Sequence, residues 1–154
     1  MATDEIFEKA LKFVLEREGG FVNDPNDRGG ATNKGVTQNT YNQYLRSKGR
    51  ATKDVRYITD AELKDIYYTR YWLQAGCDKM SDNRFAIVCF DTAVNMGVSR
   101  VREFLCACQW NDLDAYFLAR IRKYNEFAKV KSQRGFLHGW LNRTYALYDF
   151  IFEL

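Results

Sequence analysis

Glu18 is the residue whose type and position say most about chemistry. It falls in phase with Leu11, Val14 and Leu15, at separations of seven, four and three residues, so on a helix it points with the apolar stripe. A carboxylate in that last turn is partly desolvated and faces the negative end of the helix dipole. Both effects disfavour its charged form and predict a raised pKa. A group that keeps its proton near neutral pH is what a general acid needs to protonate a leaving oxygen. The alternative is that Glu18 frays at the helix end beside Arg17 and reaches water.

Asp91 and Asn95 form a second polar pair, one helical turn apart on an otherwise apolar segment. Unpaired polar groups there are costly, so both need partners. Either they tie loops to the core or they line a cleft and touch substrate, with the structural role favoured. Tyr67, Tyr68, Tyr71 and Trp72 offer ring faces, yet at this spacing most belong to the core, as does Trp140. His138, the only histidine, has no helical neighbour that suggests a catalytic pair. Cys77, Cys89, Cys106 and Cys108 lack paired metal-type spacing and read as reduced core thiols; no metal site and no cofactor is expected.

These residues require helices to position them. A helix is expected over 4–18, with Thr3 as N-cap, Ile6, Phe7, Ala10, Leu11, Val14 and Leu15 inward, and a stop at Gly19-Gly20. From there to Gly35 the text is loop and short-hairpin chemistry. A second helix follows Thr37, with Tyr41, Tyr44 and Leu45 inward and Gly49 as its stop. Thr59 to Glu62 is a capping box, followed by an apolar face of Leu63, Ile66, Tyr67 and Tyr71. The segment 82–96 is apolar on every side and belongs in the centre. Further helices are expected around 100–109, 112–130 and 137–152.

The fold class is therefore mainly α, a helical bundle around a central buried helix with a small hairpin region after the first helix. At 154 residues one ordinary domain, 1–154, accounts for the chain. The net charge of +3, from 23 basic and 20 acidic residues mixed along the chain, is weak evidence for a polyanionic partner. No basic stripe or docking motif suggests nucleic acid.

Glu18-Gly19-Gly20-Phe21 and the segment on to Thr37 resemble the glutamate-glycine-glycine signature of glycoside hydrolase family 108, lysozyme-like N-acetylmuramidases of phages and bacteria. Phe21 stands where tyrosine is usual, which removes a hydroxyl and keeps the ring. The resemblance continues through Ile66–Trp72, Phe90–Gly97 and Phe136–Arg143, and so spans nearly the whole chain. It implies an α+β lysozyme-like fold and places the essential catalytic glutamate at Glu18. It also suggests a division into a catalytic part, about 8–92, and a peptidoglycan-binding part, about 93–153. The central helix argues against two independent domains, because a cut near it leaves neither half a complete core.

The implied reaction is hydrolysis between N-acetylmuramic acid and N-acetylglucosamine. A second polar group is then needed to position water or stabilise an oxocarbenium-like transition state, and the nearby carboxylates are Asp24 and Asp27. Asp27 is favoured: it follows Glu18 after eight intervening residues, which resembles phage lysozymes with a helix-end glutamate, a loop aspartate and then a threonine, here Thr37. The ordinary reading of both aspartates is turn chemistry, and of Thr37 the N-cap of the second helix. Asp24, Asp91 and Asn95 are the candidates for touching substrate.

The neighbouring activities are a lytic transglycosylase and a chitinase or chitosanase; a wall-binding or phage structural protein without catalysis is the alternative of another class. The expected partner is the peptidoglycan strand, met by a monomer without stable membrane insertion. No signal-type segment opens the sequence and no stretch reaches about 18 apolar residues. Cytoplasmic synthesis and delivery to the periplasm by a holin or a secretion system are therefore expected.

Overall fold

The computed structural model describes residues 4–26 and 29–154; Thr3, the expected first N-cap, lies outside them. Helix α1 runs Asp4–Arg17 and buries Ile6, Phe7, Ala10, Leu11, Phe13 and Val14. That arc is wider than the expected stripe, because Phe13 also turns inward to pack on Phe150, with ring centroids 5.0 Å apart. Leu15 is only partly buried.

After α1 the chain forms a small antiparallel hairpin, β1 (Thr32–Asn33) and β2 (Val36–Thr37), with Thr32 opposite Thr37 and Asn33 opposite Val36. Its two turn residues, Lys34 and Gly35, have φ of 51° and 82°, the pair of positive values that a type I′ turn requires. Val22 extends the ladder by an isolated bridge to Thr32. Buried Asn33 donates to the carbonyls of Val55 and Arg56, pinning the hairpin to the 3-10 turn Val55–Tyr57.

Helix α2 (Gln38–Ser47) starts at the N-cap Thr37, buries Tyr41 and Leu45, and ends before Gly49, whose φ is 69°. Helix α3 (Asp60–Tyr67) carries both reciprocal bonds of the Thr59/Glu62 capping box. It then widens into a π turn over Tyr68–Trp72. This change of pitch sends Trp72 into the core against Phe7 and Phe90 and leaves Tyr71 half-buried, where a continued α-helical face was expected.

Helix α4 (Asn83–Met96) is the centre of the molecule. Every residue from Phe85 to Ala93 is buried, and α1, α5, α7 and the π turn pack around it. Each large apolar side chain fully buried there stabilises the fold by about 1.5–3 kcal/mol. Gly97, at φ 92°, lets the chain turn at once into α5 (Val98–Ala107), followed by α6 (Leu113–Ala128) and α7 (Leu137–Phe152). The described residues thus form seven α-helices and a two-stranded sheet, a mainly helical, lysozyme-like fold. No helix among them is long and apolar enough to cross a membrane.

All four cysteines are free. Cys77, Cys89 and Cys108 are buried, but Cys106 is exposed, which corrects its reading as a core thiol. The reason is helical phase: Val101, Phe104, Leu105 and Cys108 take the inner face of α5 and its cap, and position 106 falls on the opposite side.

Candidate active site

Glu18 is the first residue beyond α1, and its N–H still donates to Val14 O at 3.1 Å. The helical turn therefore carries through it, and its side chain leaves on the side of buried Leu11 and Val14, as its phase predicts. That side chain is 22% exposed. It is neither in bulk water nor sealed in the core.

Two elements close on the carboxylate. From one side comes the hairpin turn. A Cβ added to Gly35 would stand 3.1 Å from Glu18 Oε2 and 3.2 Å from its Cγ, and would collide with Tyr67 Oη. Gly35 is thus fixed twice, by its left-handed backbone and by the absence of space. Tyr67 holds the turn, donating its hydroxyl to Lys34 O at 2.8 Å. Burial, with the negative charge of Glu18 added, pushes the Tyr67 phenol far above its ordinary value, so it stays a neutral donor. Tyr71 is pushed up as well, by burial first, with Arg70 opposing and Glu18 adding.

From the other side comes α7. Arg143 Nη1 donates to Glu18 Oε1 at 3.2 Å. The same guanidinium donates from Nε to Asp91 Oδ1 at 3.0 Å; its Nη2, 2.9 Å from that oxygen, is at ion-pair distance but not aligned for a hydrogen bond. The other oxygen of Asp91 accepts from Arg120 Nη2 at 2.6 Å. Arg120, fully buried, also donates to Thr92 Oγ1 and Tyr124 Oη, and Tyr124 in turn donates to Asn95 Oδ1. Burial pushes the Asp91 carboxyl up, but Arg120 and Arg143 outweigh it and hold it below the usual carboxylate range. Asp91, with no exposure, is thus paired with two guanidiniums, which is how its charge is tolerated out of water.

The predicted site residues separate clearly. Asp91 is sealed at the centre of α4 and acts on the site only through Arg143. Asn95 is half-buried and lines, with Arg143, Arg17 and Trp140, a hollow of about 640 Å³. Trp140 is stacked on Tyr124 at 5.1 Å. A second hollow, about 540 Å³, is lined by Arg70, Tyr71, Gln74 and Val98. Thr37 caps α2, its hydroxyl accepting from Thr40 N at 3.2 Å. Asp24 is exposed and closes its own turn, accepting from Asn26 N at 2.9 Å. Asp27 lies outside the described residues. His138 is exposed and pairs with Asn142. Phe21 packs its ring under the Arg56 guanidinium, 4.5 Å away.

Sequence reasoning missed Arg120 and Arg143. The need for them was visible in Asp91, a carboxylate set among apolar residues, but their identity was not: they lie 29 and 52 positions away.

The family model described as Glycosyl hydrolase 108 matches residues 11–97, which include Glu18, the hairpin and α4. Among solved structures, the chain is similar to SagA of Brucella abortus, with 23% identity and a TM-score of 0.75 over 98% of this chain and 96% of that one. At that identity the likeness concerns the fold. No curated protein sequence matches.

Proposed function

The chain belongs to glycoside hydrolase family 108 and is a glycosidase whose family fits peptidoglycan as substrate, and from that premise we propose that it is a lysozyme cutting between N-acetylmuramic acid and N-acetylglucosamine. Glu18 is the general acid. The observation that carries this reading is the placement of its carboxyl: partly exposed at a helix end, held between a close-fitting glycine turn and an anchored arginine.

Arg143 occupies Oε1, and no described donor reaches Oε2, so Oε2 is the oxygen left to carry the proton. In the reaction that proton passes to the glycosidic oxygen as its bond to the muramic acid C1 breaks. Water then adds hydroxide to C1, and its remaining proton restores the acid. Asp27 remains the proposed second carboxylate on sequence grounds, while Thr37, engaged in capping, is best read as structural. Substrate contact at Asn95 is supported by its place in the hollow beside Arg143. Asp24, in its exposed turn, is left as an outlying candidate.

We infer also that the parts 8–92 and 93–153 work as one unit, since Glu18 and Asp91 of the first share Arg143 of the second. In this reading the protein acts as a monomer on the wall, after delivery by a holin or a secretion system.

Mass spectrometry of digested peptidoglycan tests the proposal. The wild type is expected to release fragments with reducing-end muramic acid, and Glu18→Gln none. Anhydro-muramic acid ends would mean a lytic transglycosylase instead; equal products from both proteins would remove Glu18 from the chemistry.

A further inference from the structure

Helix α5 ends in a Schellman arrangement: Gln109 N–H donates to Cys106 O at 3.2 Å and Trp110 N–H to Leu105 O at 3.0 Å. Such an ending calls for one left-handed residue, usually glycine, just past the cap. Here two consecutive non-glycine residues are left-handed, Gln109 at φ 53° and Trp110 at φ 65°. A side chain in that region strains the backbone, and the cap accounts for only the first. The second sets an indole on the surface, 59% exposed, whereas the other two tryptophans, Trp72 and Trp140, are buried and half-buried.

Trp110 stands at the edge of a hollow of about 580 Å³ between residues 73–82 and α5. That size lies within the roughly 300–1,000 Å³ of ligand pockets. Phe85 and Leu105 line it from the core, with Gln74, Lys79 and Arg102 as polar groups. Asp82, the carboxylate of this rim, is engaged in capping α4 and in a contact with Arg84, and neither Lys79 nor Arg102 has an ion-pair partner among the described residues. Gln74 and Val98 line this hollow and also the one that holds Tyr71, so the two hollows adjoin.

We propose that the Trp110 hollow is an outer binding site for a glycan strand bearing carboxylates. The flat, C–H-rich face of a sugar ring lies on the indole, a large rigid surface that also carries a polar N–H. Lys79 and Arg102 meet the carboxylates with charge-assisted hydrogen bonds. The site rests on the reading of the chain as a wall glycosidase. Its role is to hold a long strand, not to carry out the chemistry.

The test uses Trp110→Gly, which removes the indole and relieves the left-handed strain, so its melting temperature should equal or exceed that of the wild type. On a Glu18→Gln background, Trp110→Gly should lower retention on purified insoluble peptidoglycan about three- to tenfold, the range of one aromatic contact. The double substitution Lys79→Gln/Arg102→Gln should lower it too, and should weaken its salt dependence. In the otherwise wild-type protein, Trp110→Gly should slow cutting of long strands and leave short soluble muramyl oligosaccharides unaffected. Unchanged retention in both variants would overturn the site, even with the wild type an active muramidase. Absence of product from the wild type would instead strike the functional reading, and the retention measurement would still decide on the hollow.

Discussion

Arg143 Nη1 lies 3.2 Å from Glu18 Oε1, joining residues 125 positions apart in the chain. The contact is held from behind, because the same guanidinium is bonded to a carboxylate with no exposure, Asp91. The orientation of Glu18 therefore depends on a charge at the molecule's centre.

Replacing Arg143 separates structure from reactivity. Arg143→Ala leaves Asp91 with one cation in place of two and should cost about 3 kcal/mol in urea unfolding, the scale of a broken buried pair. Arg143→Lys keeps the charge but cannot span both carboxylates with a planar fork. It should regain part of the stability and little of the activity; full wall-lysis activity in the lysine variant would rule out the orienting role.

Glu18→Gln preserves shape and removes the acid. Lysis of bacterial walls should fall by about 10²–10⁴-fold, the contribution of general acid catalysis. Stability should stay within about 1 kcal/mol, since the lost pair is partly solvated. A drop in activity matched by unfolding would point to a structural glutamate.

Gly35→Ala tests the turn. The left-handed backbone alone costs roughly 1–2 kcal/mol for a residue with a side chain, and the new methyl group must displace Tyr67 Oη or Glu18. Reduced thermal stability together with slower catalysis is expected; a variant as active as the wild type would show that Glu18 does not depend on this contact.

Acid should act through Asp91. Its carboxyl titrates lower folded than unfolded, so its stabilising contribution is complete above the unfolded value near ~3.9 and is lost as pH falls through the folded one. Asp91→Asn should therefore be less stable than the wild type at neutral pH by about 3–5 kcal/mol. The gap should narrow below the unfolded value. Denaturant titrations in neutral and strongly acidic buffer measure this, and a gap that does not vary with pH would contradict it.

Thiol labelling should distinguish the cysteines. Burial pushes Cys89 up to about 12 and Cys77 well above its ordinary value, so neither offers thiolate to a reagent. Exposed Cys106 should react first in the folded protein, and the buried thiols only on unfolding. One fast equivalent that disappears in Cys106→Ser is the expected result.

What the sequence disclosed was local. The Thr59/Glu62 capping box is complete within four residues, and the all-round apolar text of α4 marks it as central whatever surrounds it. Glu18 could be placed on the inner side of α1 because its phase is set by the fourteen residues before it. The rest needed three dimensions. Lys34-Gly35 reads as a turn, but nothing nearby says that its glycine will rest on Glu18. Asp91 announced a missing partner without saying that it would be two arginines among 23 basic residues. The π turn at Tyr68–Trp72 was hidden as well, since a change of pitch leaves residue spacing on paper unaltered and only tertiary packing of Trp72 reveals it.

The long reach of Arg143 bears on how such enzymes can be rebuilt. Exchanging the C-terminal part for another would not merely swap one surface for another: it would remove Arg120 and Arg143, to which the mid-chain Asp91 is bonded. Functional hybrids should be found where positions 91, 120 and 143 travel together, and engineering that trades modules at the family's customary seam should begin by transplanting that trio.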